Sequence, residues 1–362
     1  MTRGAKLKSS LVAVLAIAVL ASAGPASAQW SLSANDGKAV LNLGFMSQTQ
    51  VEALRNPGSK DYAQNVFLRR ARVMLGGRVN ERTSFFIDTD VPNLGKGQAS
   101  GVKVGNTMVL QDLVVTQSVC PGIKVDAGML MVPVSHNAQQ AVSSVLAVDY
   151  GPFSSLQSDV TDSKLNRDYG VDGRAYFANR HAEVRAGIYQ GDRGRNATEP
   201  FRTAIRGVYY PFEADTGFLY SGTTFGKKQF MAFGASYDAQ KSYATWAGDV
   251  TVDWPVQSDC VTFQADYMRY DGGATFVALP RQDVLLVELG YFIHQARMTP
   301  FVQYATRDYA AAARADESKV QGGVAFWGNG HKESVKLAVA KLTRDDASDG
   351  VQFVAQWQVF AY

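Results

Sequence analysis

Hydrophobic and charged positions alternate along residues 65–90, NVFLRRARVMLGGRVNERTSFFIDTD. Arg70, Arg72, Met74, Gly76 and Arg78 share one face, and Ala71, Val73, Leu75, Gly77 and Val79 share the other. After residues 80–84 the alternation resumes, with Phe85, Ile87 and Thr89 opposite Phe86, Asp88 and Asp90. Successive strand side chains point to opposite faces, so this stretch predicts a hairpin with one oily and one charged side. In a soluble sandwich the oily side is a core. In a membrane barrel it meets lipid, and the charged side lines water. The local pattern is the same in both.

The rest of the chain repeats the motif. Segments of about ten alternating residues run over 38–47, 107–118, 123–134, 169–177, 181–190, 201–210, 229–238, 246–254, 261–270, 284–293, 298–308, 319–326, 333–342 and 351–362. With the two strands of the hairpin they number sixteen. Connections after odd segments are mostly long or polar, and those after even segments are mostly tight turns such as 80–82, 120–122 and 179–180. Two places break the rhythm: the long 211–227, which reads as a structured connection with room for a short strand, and the short 239–242. Alternating long and short connections are what an outer-membrane barrel requires, with long extracellular loops and short periplasmic turns. An even strand count puts both termini on the periplasmic side. The longest break, 135–167, is too long to be an idle connection in a compact domain.

The chain begins with a basic region (Arg3, Lys6, Lys8), an apolar stretch over 11–23 and the small-residue site Ala26-Ser27-Ala28. This pattern predicts a secretory signal peptide over 1–28, cleaved to leave a barrel over 29–362. The formal net charge of +3 lies entirely in that leader, so the remainder is neutral. Its Lys and Arg residues are dispersed, which excludes a nucleic-acid footprint. No later stretch approaches the roughly 18 apolar residues of a membrane helix. The two cysteines, Cys120 and Cys260, fall on strands far apart and are expected to be unpaired, since a disulfide needs Cα atoms within about 7 Å. The four histidines have no companion at metal-ligand spacing, and neither a metal nor a cofactor is expected. No nucleophile elbow is present, so no catalytic residue is expected.

The last segment sets Val351, Phe353, Ala355, Trp357 and Val359 against Gln352, Gln356 and Gln358 and ends on the aromatic Tyr362. Phe360 and Tyr362 fall on the glutamine side, which predicts a bulge or a frayed end there. FLRRARVMLGGRV (67–79), RDYGVDGRAYF (167–177), Tyr237-Asp238, Gln264-Ala265-Asp266-Tyr267, TPFVQY (299–304) and GNGHKESVKLAVAKL (328–342) occur in this order. In these motifs the chain resembles the phosphate-selective porin O and P family of outer-membrane porins. The resemblance implies a sixteen-stranded antiparallel transmembrane barrel, a homotrimer, and loops folded inward to constrict the pore.

If the oily face meets lipid, the opposite residues line the lumen. The basic ones are Arg70, Arg72, Arg78, Lys124, Arg174, Arg185, Arg202, Arg206, Arg307 and Lys336. The acidic ones are Asp88, Asp90, Asp112, Asp126, Asp172, Glu183, Asp249, Asp253, Asp266 and Glu288. Arginines dominate the second and the sixth to eighth strands, while the tenth to twelfth hold only acids. That order predicts a basic arc facing an acidic arc. The constriction loop adds Asp149, Asp159 and Asp162 against Lys164 and Arg167. Arg70 and Arg72 either face the solute path or pair with Asp88, Asp90 or Asp172. No one-sign ladder of the kind phosphate selectivity needs is evident. The leading expectation is a passive channel for small hydrophilic solutes and ions, of weak or general selectivity, embedded in outer-membrane lipid and lipopolysaccharide. An anion- or phosphate-selective porin, a plugged structural or adhesive barrel, and a soluble sandwich remain as alternatives.

Overall fold

A computed structural model describes residues 30–155 and 166–362. The leader and its cleavage site, and Asp159, Asp162 and Lys164, lie outside the described residues. The described residues form seventeen strands: β1 Trp30–Ala34, β2 Ala39–Arg55, β3 Ala63–Arg78, β4 Thr83–Asp90, β5 Val109–Cys120, β6 Ile123–Met131, β7 Arg167–Phe177, β8 Ala182–Tyr189, β9 Arg202–Tyr209, β10 Phe230–Gln240, β11 Tyr243–Val256, β12 Asp259–Asp271, β13 Gln282–Phe292, β14 Met298–Tyr309, β15 Glu317–Trp327, β16 Glu333–Arg344 and β17 Ala347–Ala361. From β2 onward each strand pairs antiparallel with the next. β17 then returns to β2, from Val351↔Arg55 to Ala361↔Phe45. The result is a closed sixteen-stranded barrel.

β1 is the strand that alternation missed. It pairs with β2 from Trp30↔Leu43 to Ala34↔Ala39, so it continues the wall slot in which β17 ends. The signal for it was the turn: Asn35, Asp36 and Gly37 all take positive φ, the conformation that Asn, Asp and Gly tolerate in a tight hairpin.

The exposure pattern settles which face is inside. Val73, Ile188 and Phe353 are about half exposed on the outer wall, whereas Arg70, Arg206 and Lys336 are fully buried in the lumen. Outward aromatics gather towards the two ends of the wall: Tyr169, Tyr237 and Trp246 near the long loops, and Phe177, Tyr209, Tyr291 and Trp357 near the short turns. Such girdles sit at the two membrane interfaces. Cys120 ends β5 and Cys260 lies in β12; both are free thiols.

The C-terminal strand departs from the expected bulge or fray. Its ladder to β2 is unbroken through Ala361. Phe360 and Tyr362 stay on the lumen side, and the Tyr362 ring meets Phe86 edge-on at 5.6 Å. The site is floored by Gly44 and Gly76. A Cβ on Gly76 would collide with the Tyr362 hydroxyl, and one on Gly44 with the Ala361 carbonyl. The aromatic end is therefore seated inside the barrel, on backbone left bare for it. Replacing Gly76 with Leu is expected to destabilise the barrel by about 1–3 kcal/mol through overpacking, read as a lower unfolding temperature in detergent. The double variant Gly76→Leu/Tyr362→Ala should regain part of the loss; no recovery would mean that Tyr362 is not the obstacle.

Candidate functional site

The lumen-facing charges stand in register with one another. Arg72 bonds Asp88 at 2.6 Å and Asp90 at 3.1 Å. Arg167 holds both oxygens of Asp112 at 2.8 Å. Arg174 takes Asp126, Arg185 takes Glu183, Arg202 takes Asp238 and Asp168, and Arg206 takes Asp249. All these side chains are buried. Alternation puts them on the lumen face but says nothing about neighbours. Pairing brings acids of β6, β8, β10 and β11 beside the arginines of β7, β8 and β9. The arginines of the expected basic arc are therefore interlocked with carboxylates, whereas Asp253, Asp266 and Glu288 of the expected acidic arc bond neutral donors such as Thr262, Gln264 and Gln303.

Arg78, expected among the pore-lining residues, makes no ion pair with a lumen acid among the described residues. It is exposed at the short-turn rim and donates to the Gly37 carbonyl at 2.6 Å. β3 has passed the packed part of the lumen there, and the β1–β2 turn supplies its partner.

Residues 132–155 enter the barrel from the long-loop end. Several wall residues hold this segment. Arg206 and Ser236 donate to the Val134 carbonyl. Lys336 of β16 donates to the carbonyls of Val145 and Ala147, at 2.5 and 2.8 Å. Gln358 donates to Ser143. Asp149 is clamped at 2.7 Å by both Arg69 and Arg70. Two consecutive residues cannot face one way in a regular strand. The register slips here, Gln48↔Arg70 being followed by Thr49↔Leu68, and this bulge turns Arg69 inward. Strict alternation placed Arg69 on the lipid side and so missed it. Burial raises the Asp149 carboxyl's pKa, but Arg69 and Arg70 outweigh it and hold the group below the usual carboxylate range. The clamp thus stays charged as pH falls, and releases only below the ordinary carboxylate pKa of about 3.9.

Residues 210–229 enter from the opposite end. In sequence they were the long connection on the short-turn side. Arg185 donates to the carbonyls of Gly217 and Phe218 at 3.0 and 2.9 Å, and Arg174 to Gly217 at 3.2 Å. Arg185 and Arg206 lie over the Tyr220 ring at 4.3 and 5.4 Å, and Arg174 over Phe218 at 5.4 Å. The arginines of β7–β9 thus grip a protein segment. The two inward segments meet in mid-lumen. Gln140 and Tyr220 form a parallel β-bridge, His136 stacks on Tyr220 at 4.9 Å, and its Nε2 lies 2.9 Å from the Ser221 carbonyl. The mixed aromatic and glycine content of 211–227 was the only signal for this role.

A cavity of about 280 Å³ remains near the long-loop end. Asp149 and Tyr150 line it with wall residues of β2, β3, β14, β15 and β17. Among the described residues no cluster of His, Cys, Asp and Glu suits a metal, and no helix is long and apolar enough to cross a membrane.

A closed barrel with an apolar, aromatic-girdled exterior and a charged lumen narrowed by an inward loop is the architecture of an outer-membrane channel. Residues 41–328 match the family described as phosphate-selective porin O and P, and the chain belongs to that family. It is a porin of the bacterial outer membrane. Among solved structures, OprB of Pseudomonas putida is similar at 10% identity with TM-score 0.61, covering 88% of this chain and 94% of that one. The anion-selective porin from Comamonas acidovorans is similar at 13% identity with TM-score 0.60, covering 89% and 100%. A trimer form of OmpT from Vibrio cholerae is similar at 12% identity with TM-score 0.50, covering 89% and 99%. These likenesses are of fold. No curated protein matches the sequence.

The inner contacts carry a pH dependence. His331, in the β15–β16 turn, donates through Nε2 to the Thr223 carbonyl at 2.9 Å, while its buried Nδ1 has no partner among the described residues. Burial, with Lys336 and Lys227 nearby, lowers its pKa to about 4, against the Thr223 bond, which raises it. The unfolded chain protonates this histidine near pH 6.5. Its neutral form therefore stabilises the fold fully above about pH 6.5, and that contribution fades as pH falls towards about 4. The drop in unfolding temperature between pH 7 and pH 5 should be smaller in His331→Asn than in the wild type. Equal drops would show that other groups carry the acid sensitivity.

Proposed function

We propose that the protein is a passive diffusion channel for small hydrophilic solutes and ions, with weak or general selectivity, and that it performs no catalysis. The compensation of the buried lumen arginines carries this reading. Each buried guanidinium among Arg70, Arg72, Arg167, Arg174, Arg185, Arg202 and Arg206 has a carboxylate beside it. A buried pair presents little net field to a passing ion, so such a wall discriminates weakly. In this reading Arg70, Arg72, Asp88, Asp90 and Asp112 form the wall behind the constriction, while Arg174, Arg185, Arg202 and Arg206 hold the inward segments in place. The described part of the loop from 135 to 167 narrows the lumen, with Asp149 and Arg167 among its anchoring residues. The long-loop end faces outward from the cell, the outer wall contacts lipid and lipopolysaccharide, and the chain assembles as a homotrimer, as the trimer form of OmpT does.

A second reading, a closed structural barrel, is favoured by the burial of mid-lumen wall residues such as Gln48, Gln356 and Lys336 under the inward segments. Planar-bilayer recording separates the two, since a closed barrel gives no conductance steps. For the open channel, the reversal potential in a KCl gradient should correspond to a permeability ratio within about threefold of unity; a strongly anion-selective value would overturn weak selectivity. Asp149→Asn unclamps the loop and leaves Arg69 and Arg70 uncompensated. It should raise single-channel conductance and shift the reversal potential towards anions.

A further inference from the structure

The cavity beside the constriction has its own chemistry. Three cations line it, Arg69, Lys96 and Lys319, with two carboxylates, Glu52 and Asp149. Arg69 is engaged by Asp149 at 2.7 Å and Lys96 by Glu52 at 2.8 Å. Lys319 is half-buried on the lumen face of β15, and among the described residues its side chain makes no hydrogen bond or ion pair. Two residues along the same face, Gln321 is buried and its carboxamide is likewise without a partner among the described residues. The cavity therefore holds one uncompensated positive charge beside an unused amide, with the carboxamides of Gln50, Gln352 and Asn93 around it.

We infer that this cavity is a binding site for a small hydroxylated monoanion, of the sugar-acid or hydroxy-carboxylate class, on the solute's way to the constriction. The inference rests on the diffusion reading above and names a solute class for it. One free ammonium calls for one negative charge. A phosphate dianion would leave an excess negative charge beside Glu52 and Asp149, and it offers mainly acceptors. Carboxamides donate and accept together, which matches hydroxyl groups. A neutral sugar would leave Lys319 unanswered, and a bare carboxylate such as acetate would leave the amides unanswered. The volume of about 280 Å³ lies near the lower end for small-molecule pockets, about 300 Å³, and suits a solute of sugar size.

The test is isothermal titration of the folded full-length barrel in detergent at pH 7 with sodium gluconate. Gluconate should bind saturably, with inorganic phosphate, acetate and glucose each weaker by about tenfold or more. Lys319→Gln should weaken gluconate binding by about tenfold, and Lys319→Arg should keep it within about threefold. Gln321→Leu, which leaves the charge in place, should weaken gluconate but not acetate. Heat-modifiable gel migration verifies that each variant is folded. Phosphate binding at least as tight as gluconate, or Lys319→Gln binding unchanged, overturns the inference. KCl conductance is recorded on the same preparations. Conductance steps without gluconate binding defeat the inference alone, whereas gluconate binding without steps defeats the diffusion reading and leaves the site standing.

Discussion

In a hydrocarbon layer every backbone N–H and C=O must find a partner within the protein. A sheet meets that demand only by closing on itself. Closure here is the β17–β2 seam, and the lumen side chains reinforce it. Gln48 pairs with Gln358 and Gln50 with Gln356, each at 2.7 Å, while Gln352 donates to Glu52 at 2.8 Å. Once the sheet is closed, its period of two sends one residue set into lipid and the other into the lumen. The apolar exterior and the charged interior both follow from that closure.

A charged interior creates a second demand. Two segments from opposite ends occupy the lumen, so the wall charges are buried as well as enclosed. Breaking a buried pair by removing one partner costs about 3–5 kcal/mol. The partners therefore come from every available source: carboxylates on the neighbouring strand for Arg72 and two strands away for Arg206, a loop carboxylate for Arg69 and Arg70, and backbone carbonyls for Arg185 and Lys336. The arginines that in sequence looked like a conduction path bond the two inward segments. Beside the loop, an ammonium and a carboxamide without hydrogen-bond partners among the described residues remain at Lys319 and Gln321.

The departures from the sequence reading share a form. Arg69 was hidden by a bulge, a local break in period that alternation cannot see. Arg78 was assigned to the right face but at a height where the lumen has ended. The predicted bulge at Phe360 and Tyr362 proved unnecessary, because Gly44 and Gly76 make room for aromatics on the lumen side. β1 was too short and serine-rich to stand out, although its Asn35-Asp36-Gly37 turn could have revealed it. The long connection over 211–227 stood out as irregular without showing where it went.

Features that depend only on neighbours along the chain are legible from the residues alone. Sixteen strands, their two faces, the alternation of long and short connections and the family motifs are all properties of local period and turn chemistry. Features that depend on register and on insertion arise only in the folded barrel: which arginine meets which aspartate, which segments fill the lumen, and which cation has no ion pair among the described residues. A two-residue slip in pairing would keep every side chain on its face and exchange every partner, so no reading along the chain could have supplied those pairings.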